Sequence, residues 1–565
     1  MTSETLHTPT KWRTCNGQQF KKLARAGLFW LEKHQQIVNA LNVFPVPDGD
    51  TGTNMLLTMR SAWRNIQDSS EEHVGKLAQK FSKGALMGAR GNSGVILSQI
   101  WRGMAQALEH EAELSAADLG RAFQQASDTA YKGVMKPVEG TILTVIREGA
   151  EEAMDAAAKS DDLRFVLRRA ITRCGQALER TPELLPILKQ AGVVDSGGQG
   201  LIYVLEGMYK YATGELTERD WDTAEASFEA AVAALPAQAH AVPEGGVLEN
   251  HYDVQFIIMG QNLNVEEVRR TIDAMGDSTV VVGDETTIKV HVHVDNPGDP
   301  ISYGVSLGEI TDVVVENMQM QMDEIVSGGG TAALTPLPIA TVRVGEGQIA
   351  VVAVAAGEGL GDLFRDMGAA GIVPGGQTNN PSTEEILAVV DGLPTDKIIL
   401  LPNNKNIVLA CEAARDLSDK QIMVVPTRTA PQGISAMLGL NADGELAEVA
   451  QAMGALAQQV TTAEITIATR SVEIDGVAVA EGNVIGLLDG KLRAAGEDVE
   501  TVLAHLLAAV EDLEERELVT LFYGADVSEE DAAEVADQIT TAYPELEVEV
   551  QAGGQPYYFY ILGIE

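Results

Sequence analysis

The chain has 565 residues, enough for about three domains with ample core. Its 82 acidic and 40 basic side chains give a net charge of −42, which disfavours partnership with nucleic acid or anionic membranes. Three scattered cysteines, Cys15, Cys174 and Cys411, have neither disulfide nor metal spacing and suit a reducing, cytoplasmic compartment.

The first residues, MTSETLHTPTKWRTCNG, are polar and lack a signal-peptide core. No apolar run approaches the ~18–20 residues of a membrane span, so no membrane insertion is expected. From residue 18 to about 213 apolar residues recur at helical spacing between short Gly, Pro or Ser breaks, predicting about eight helices. Leu23–Leu41, Val74–Leu86, Ala116–Tyr131 and Phe165–Leu178 are the clearest. Gly84, Gly88 and Gly91 fall close together and would let helices approach tightly.

Within this region the run NVFPVPDGDTGTNM (42–55) carries the most chemistry. Asp48 and Asp50 straddle Gly49 just before an apolar helical pattern, and such a loop can hold hard cations through oxygen. The next helix begins beside Thr51, Thr53 and Asn54, so its unbonded N–H groups lie near the same spot and suit a phosphorylated ligand. The plainer alternative is a turn with a helix cap. An EF-hand is excluded, because its fifth, sixth and twelfth positions would be Gly52, Thr53 and Met59. A P-loop is excluded too, since GALMGARGNSG (84–94) lacks the Gly-Lys-Ser/Thr ending.

Ala224 to Gly246 is rich in Ala, Pro and Glu and reads as a linker. Beyond it, Val254–Met259, Val280–Val282 and Lys289–Val294 alternate like strands, while Val265–Met275 and Val315–Ile325 read as helices. His291 and His293 lie at i and i+2 on one such strand, so both face one side, as a zinc-binding pair would. Ser327–Thr331 is a second joint. From about 338 the pattern becomes strand, loop, helix. Ala350–Ala355, Ile398–Leu401 and Ile422–Val425 precede loops in Gly, Asn, Lys, Thr and Arg, which either grip an anion at the strand ends or cap the next helix.

Charge divides unevenly: residues 1–200 hold 24 Lys+Arg and 22 Asp+Glu, leaving 16 and 60 for residues 201–565. Either the acid keeps the surface solvated, or a near-neutral N-terminal part handles an anionic nucleotide while the acidic part receives a basic partner.

Taken together, NVFPVPDGDTGTNM, GALMGARGNSGVILSQ, GVVDSGGQGL (192–201), KVHVHVDNPG (289–298), GGQTNNPSTEEIL (375–387), LLPNNKNIVLA (400–410) and the C-terminal GGQPYYFYILGIE resemble the ATP-binding subunit of bacterial fatty acid kinase. The first three also resemble the L subunit of dihydroxyacetone kinase. The resemblance implies a multidomain chain: an all-α antiparallel helical barrel (DhaL-like) in 1–220, a linker in 221–246, a small α+β domain in 247–330, and an α/β domain in 338–565 resembling the fatty-acid-carrier (DegV-like) fold. That last domain would serve docking or dimerisation, so Asn403, Lys405 and Arg428 are not assigned to catalysis.

The resemblance further implies ATP with two Mg²⁺ ions at one end of the barrel. Asp48 and Asp50 are then metal ligands and catalytic, with Asn42 a third metal contact. Thr51, Thr53, Asn54, Gly91, Asn92, Ser93 and Gly94 line the nucleotide, and Asp195, Gly197 and Gly198 close over it. Asp253 stands where the family has a cysteine that completes a zinc site with His291 and His293, so a His/His/Asp metal site is expected. The implied reaction passes the γ-phosphate of ATP to the carboxylate of a fatty acid held by a separate carrier protein, giving an acyl phosphate. A homodimer is implied as well. The alternatives are a dihydroxyacetone-type small-molecule kinase and a nucleotide-binding scaffold without catalysis.

Overall fold

A computed structural model describes residues 11–41, 49–134, 136–221, 252–260, 263–283, 287–317, 344–345, 347–377, 379–474 and 476–565. Asn42, Asp48, residues 222–246 of the expected linker and the joint at 327–331 lie outside them, as does the side chain of Asp253. The chain forms two compact units, Met1–Glu215 with Ile339–Glu565, and Leu216–Pro338.

The first unit begins with helices: α1 (Gly17–Ala40), α2 (Thr51–Arg64), α3 (Val74–Met87), α4 (Gly91–Ala107), α5 (Ala116–Lys132), α6 (Ile142–Ala157), α7 (Leu163–Glu179), the short α8 (Thr181–Leu184) and α9 (Pro186–Ala191), and α10 (Ser196–Thr213). Local chemistry sets their starts. Asn16 and Gln19 form a capping box on α1, and Ser115 with Asp118 forms one on α5. The long helices pack in sequence, and α10 closes the ring against α1 and α7. A continuous apolar core fills it, with Phe20, Phe81 and Trp101 meeting edge to face. A two-residue bridge pairs β1 (Thr14–Cys15) with β2 (Leu114–Ser115).

Two of the recurring glycines work as their spacing suggests. A Cβ on Gly84 would sit 2.8 Å from the Ser61 carbonyl oxygen, and one on Gly88 2.1 Å from Ser61 Cβ. Only glycine lets α3 lie this close to α2.

The second unit is a four-stranded antiparallel sheet in the order β4-β5-β3-β6, from β3 (Tyr252–Met259), β4 (Asp277–Gly283), β5 (Thr287–Val294) and β6 (Glu309–Asn317). Val254, Phe256, Ile258, Val290 and Val292 bury one face beneath α11 (Val265–Asp273) and α12 (Gly298–Leu307). Here the structure corrects the sequence reading. Val315–Asn317 end a strand rather than begin a helix, because the β-branched run ITDVVV finds a partner in β3. Helix α12, opened by Asn296-Pro297-Gly298, went unread.

The chain then returns to the first unit with β7 (Ile349–Ala355), α13 (Glu358–Asp366), β8 (Gly371–Pro374), α14 (Thr383–Asp391), β9 (Lys397–Leu401), α15 (Val408–Leu417) and β10 (Gln421–Val424). The four strands form a parallel sheet ordered β10-β9-β7-β8. Its central strand, IAVVAVA, is buried at every position, as a parallel strand covered on both faces must be. After α16 (Ala430–Met437) and α17 (Leu446–Ala457) comes a six-stranded sheet ordered β15-β14-β11-β18-β16-β17. Its strands are β11 (Thr461–Ile467), β14 (Val484–Leu488), β15 (Lys491–Gly496), β16 (Leu518–Tyr523), β17 (Glu547–Ala552) and β18 (Tyr558–Ile564), with the hairpin of β12 (Val472–Ile474) and β13 (Val477–Val479) set apart. The parallel sheet does not end its core at its own helices. Ala89 and Val95 of the helical domain are buried in the same cluster as Val352, Val354 and Ile386.

Candidate functional site

By backbone position Asp50 is the N-cap of α2, yet its carboxylate makes no capping bond. Asn39 of α1 takes that duty: its Oδ1 accepts from Gly52 N at 2.7 Å and from Thr53 N at 3.3 Å. The Asp50 carboxylate is thereby released from the role that the plainer reading gave it. It instead accepts a 2.5 Å hydrogen bond from Asn380 Nδ2, 330 residues along the chain. A Cβ on Gly91, whose φ is +54°, would lie 2.5 Å from Asn54 Nδ2 and 3.5 Å from Asn380 Nδ2, so Asn54, Gly91 and Asn380 share one small volume beside Asp50.

Three helix N-termini meet there. Thr51 opens α2, Gly91 opens α4 and Ser196 opens α10, and the Ser196 hydroxyl donates to Thr51 Oγ1 at 3.3 Å. Unbonded N–H groups at converging helix starts favour an anion such as phosphate. Asp195 caps α10 by accepting from Gly198 N at 2.7 Å. Burial pushes its carboxyl up to about 6, against the N–H bonds from Gly198 and Ile142 that favour the charged form.

The remaining expected residues fall into two groups. Asn92 and Ser93 sit on the first turn of α4, where Asn92 Nδ2 donates to Asn406 Oδ1 at 3.3 Å. Thr53, Gly94, Gly197 and Gly198 are closely packed: Thr53 Oγ1 accepts from Gln35 at 2.8 Å and from Asn39 at 3.2 Å, turning toward α1. A Cβ on Gly94 would meet Thr58 Oγ1 at 2.4 Å, one on Gly197 would touch Ile142, and one on Gly198 would press on Val145 at 2.8 Å.

The Asn54 and Asn380 amide nitrogens face this volume, and hard oxygen of the kind that suits Mg²⁺ comes from the Asp50 carboxylate, the Thr51 and Ser196 hydroxyls and Asn380 Oδ1. The side-chain oxygen of Asn380 is buried there without a hydrogen-bond partner among the described residues, which also fits a site meant to hold something more. The three cysteines are free and buried, and burial raises each thiol, Cys15 and Cys174 to about 12. Burial and a raised pKa make them poor nucleophiles.

In the second unit, His291 and His293 are 5% and 6% exposed, with ring centroids 5.1 Å apart. Strand register sets position 253 opposite His293 and position 255 opposite His291. Asp277 also pairs with His293, and Glu316 with Asp253, so three acidic positions share the row. Among the described residues no cluster of three His, Cys, Asp or Glu side chains stands ready for a metal.

Asn380, Asn39 and Arg90 were missed by sequence reasoning. Asn380 sits in the GGQTNNPS loop after a parallel strand, a position where ligands gather, but nothing local ties it to Asp50.

Residues 45–210 match the DAK2 domain, residues 249–325 the FakA-like middle domain of fatty acid kinase, and residues 350–565 the FakA-like C-terminal domain of fatty acid kinase. Protein YloV of Bacillus subtilis (strain 168) is 38% identical over 98% of this chain and 100% of its own. An uncharacterized protein of Staphylococcus aureus (strain USA300) is 38% identical over 97% of this chain and 99% of its own. Among solved structures, DegV of Bacillus subtilis, a fatty acid binding protein, aligns over 38% of this chain and 98% of its own at 13% identity and a TM-score of 0.29. The dihydroxyacetone kinase of C. freundii aligns over 39% of this chain and 49% of its own at 15% identity and a TM-score of 0.28. Through its full-length likeness to YloV and its three matched domains, the chain belongs to the FakA-like family of fatty acid kinase proteins.

Proposed function

We propose that this protein is the ATP-binding subunit of a fatty acid kinase, moving the γ-phosphate of ATP onto the carboxylate of a fatty acid delivered by a separate carrier protein. The observation that carries the reading is Asp50: a carboxylate at a helix N-terminus, relieved of capping by Asn39 and set among two further helix starts. Family membership supports a fatty acid as the acceptor.

In this reading the N–H groups opening α4, which no side chain caps, bind the phosphates, and the positive ends of α2 and α10 help to orient them, with Thr51, Asn54, Gly91, Asn92 and Ser93 around them. Asp50, together with Asp48 and Asn42, would hold Mg²⁺, two ions in all, and Mg²⁺ when bound neutralises charge on the transferring phosphoryl group. A fatty acid carboxylate oxygen attacks the γ-phosphorus as the bond to the β–γ bridging oxygen breaks. The products are an acyl phosphate and ADP. Such chemistry needs positioning and charge rather than a covalent protein intermediate, in keeping with inert cysteines. A cytoplasmic homodimer completes the proposal, and His291, His293 and Asp253 would form a metal site in the middle domain.

The test is ATP consumption by the purified chain with Mg²⁺ and oleate, with and without a cognate carrier. Turnover that requires both and disappears in Asp50→Ala supports the proposal. The DAK2 match at residues 45–210 keeps a second reading in view. Turnover on dihydroxyacetone without carrier would establish that one, and ATP binding without turnover on either would leave a scaffold.

A further inference from the structure

Asn380 belongs to the C-terminal α/β domain, between β8 and α14, yet its carboxamide touches Asp50 of the helical domain. The side chain is 2% exposed; Nδ2 donates to Asp50 Oδ2 at 2.5 Å, while Oδ1 is buried with no hydrogen-bond partner among the described residues. A buried amide oxygen left unmatched is costly, and native folds keep one mainly where something else supplies the missing partner.

The loop cannot swing to relieve it. Arg90 Nη1 donates to the Asn380 carbonyl at 2.8 Å, and Arg90 Nη2 pairs with Glu385 at 3.0 Å. The Thr383 N–H donates to the Ala89 carbonyl at 3.2 Å, and Ala89 itself lies in the apolar cluster of the parallel sheet. Glu385 is held below the ordinary carboxylate range: burial opposes ionisation, but the Ser382 N–H and the Arg90 guanidinium outweigh it. The seam is therefore bonded at Asn380 and just beyond it, at Thr383 and Glu385, which holds the carboxamide against Asp50.

We infer that the C-terminal domain completes the cation site of the helical domain, with Asn380 as its positioning residue. This rests on the reading of Asp50 as a cation-holding carboxylate. The Nδ2 bond fixes the plane of the Asp50 carboxylate. Oδ1 is a hard acceptor suited to a divalent cation or one of its waters. The effect is local to the Asn380 carboxamide, which holds Asp50 directly, rather than a consequence of the seam as a whole.

The experiment is Mn²⁺ binding to the full chain in the presence of ADP, followed by electron paramagnetic resonance, which reads affinity without turnover. Asn380→Ala is expected to weaken Mn²⁺ binding roughly 10–100-fold, the usual range for losing a partner that orients a metal ligand. Glu385→Gln, which removes the Arg90 ion pair but keeps a capping side chain, is expected to stay within about 2-fold. Asn380→Asp sets a second carboxylate beside Asp50, so added Mn²⁺ should raise its melting temperature more than that of wild type.

Wild-type affinity in Asn380→Ala, with binding lost in Asp50→Ala, overturns the inference while leaving the kinase reading intact. An equal loss in Glu385→Gln overturns it as well, since loosening the seam would then suffice. Unchanged affinity in Asp50→Ala removes the cation reading of Asp50, and this inference with it.

Discussion

Asp195 shows how a single carboxyl can report on the site. Its folded pKa of about 6 lies above the ordinary 3.8, so folding takes up a proton between those values. The unfolded chain binds fewer protons there, so the contribution of this carboxyl to stability falls as pH rises from about 4 to 6. Asp195→Asn keeps an oxygen to accept from Gly198 and has no charge to desolvate. The variant should therefore show a flatter dependence of melting temperature on pH over that window and be at least as stable as wild type at pH 7. A parallel decline in both proteins would assign the pH response elsewhere. His291 offers a second residue-scale check. Elemental analysis of the purified chain should find zinc, and His291→Ala should lose it. No metal in wild type, or equal metal in the variant, would remove the His/His/Asp site.

At the scale of elements, the contact of α3 with α2 sets two effects against each other. Gly84→Ala gains helix propensity of about 1 kcal/mol. Its new Cβ, however, would stand 2.8 Å from the Ser61 carbonyl oxygen and 2.9 Å from Ala62 Cα, backbone that cannot turn aside. Overpacking of this kind costs typically ~1–3 kcal/mol, so the net effect is destabilising by up to about 2 kcal/mol. Hydrogen exchange should show faster opening of α2 and α3 in the variant. Unaltered protection would mean the helices separate at little cost. The same elements show what a sequence reveals. Helical periodicity marked α3, α5 and α7 within two residues and α1 except for its first six, because burial of one stripe per helix imposes it. The unbroken apolar strand β7 was equally plain. The end of the middle domain misled, because Val313, Val314 and Val315 suit either state until a partner strand is present. Asp50 was legible as a candidate from its loop; that Asn39 caps in its place and Asn380 grips it was not. Both depend on chain crossings that no local spacing encodes.

For the whole molecule the governing fact is the placement of charge. All of the net negative charge falls after residue 200, where 60 acidic side chains face 16 basic ones. The helical domain, holding 24 basic and 22 acidic groups in residues 1–200, puts up no such field against an anionic nucleotide. Under the proposed function, a carrier that must find this chain repeatedly, deliver a fatty acid and leave would gain more from fast encounter than from tight grip. Long-range attraction to an acidic surface supplies that encounter, provided the carrier presents basic groups. Electrostatic steering raises association rates by roughly 10–1,000-fold and is lost as the screening length shrinks, to about 8 Å at physiological salt and about 3 Å at 1 M. Stopped-flow association of the chain with its carrier should therefore slow at least ~10-fold between 10 mM and 1 M salt. Dissociation should change far less, since short-range contacts set it. Replacing acidic side chains on the C-terminal domain with their amides should reproduce the slowing at low salt without touching ATP binding. An association rate indifferent to salt would show that the acid serves solvation alone, and that docking is governed by contact chemistry instead.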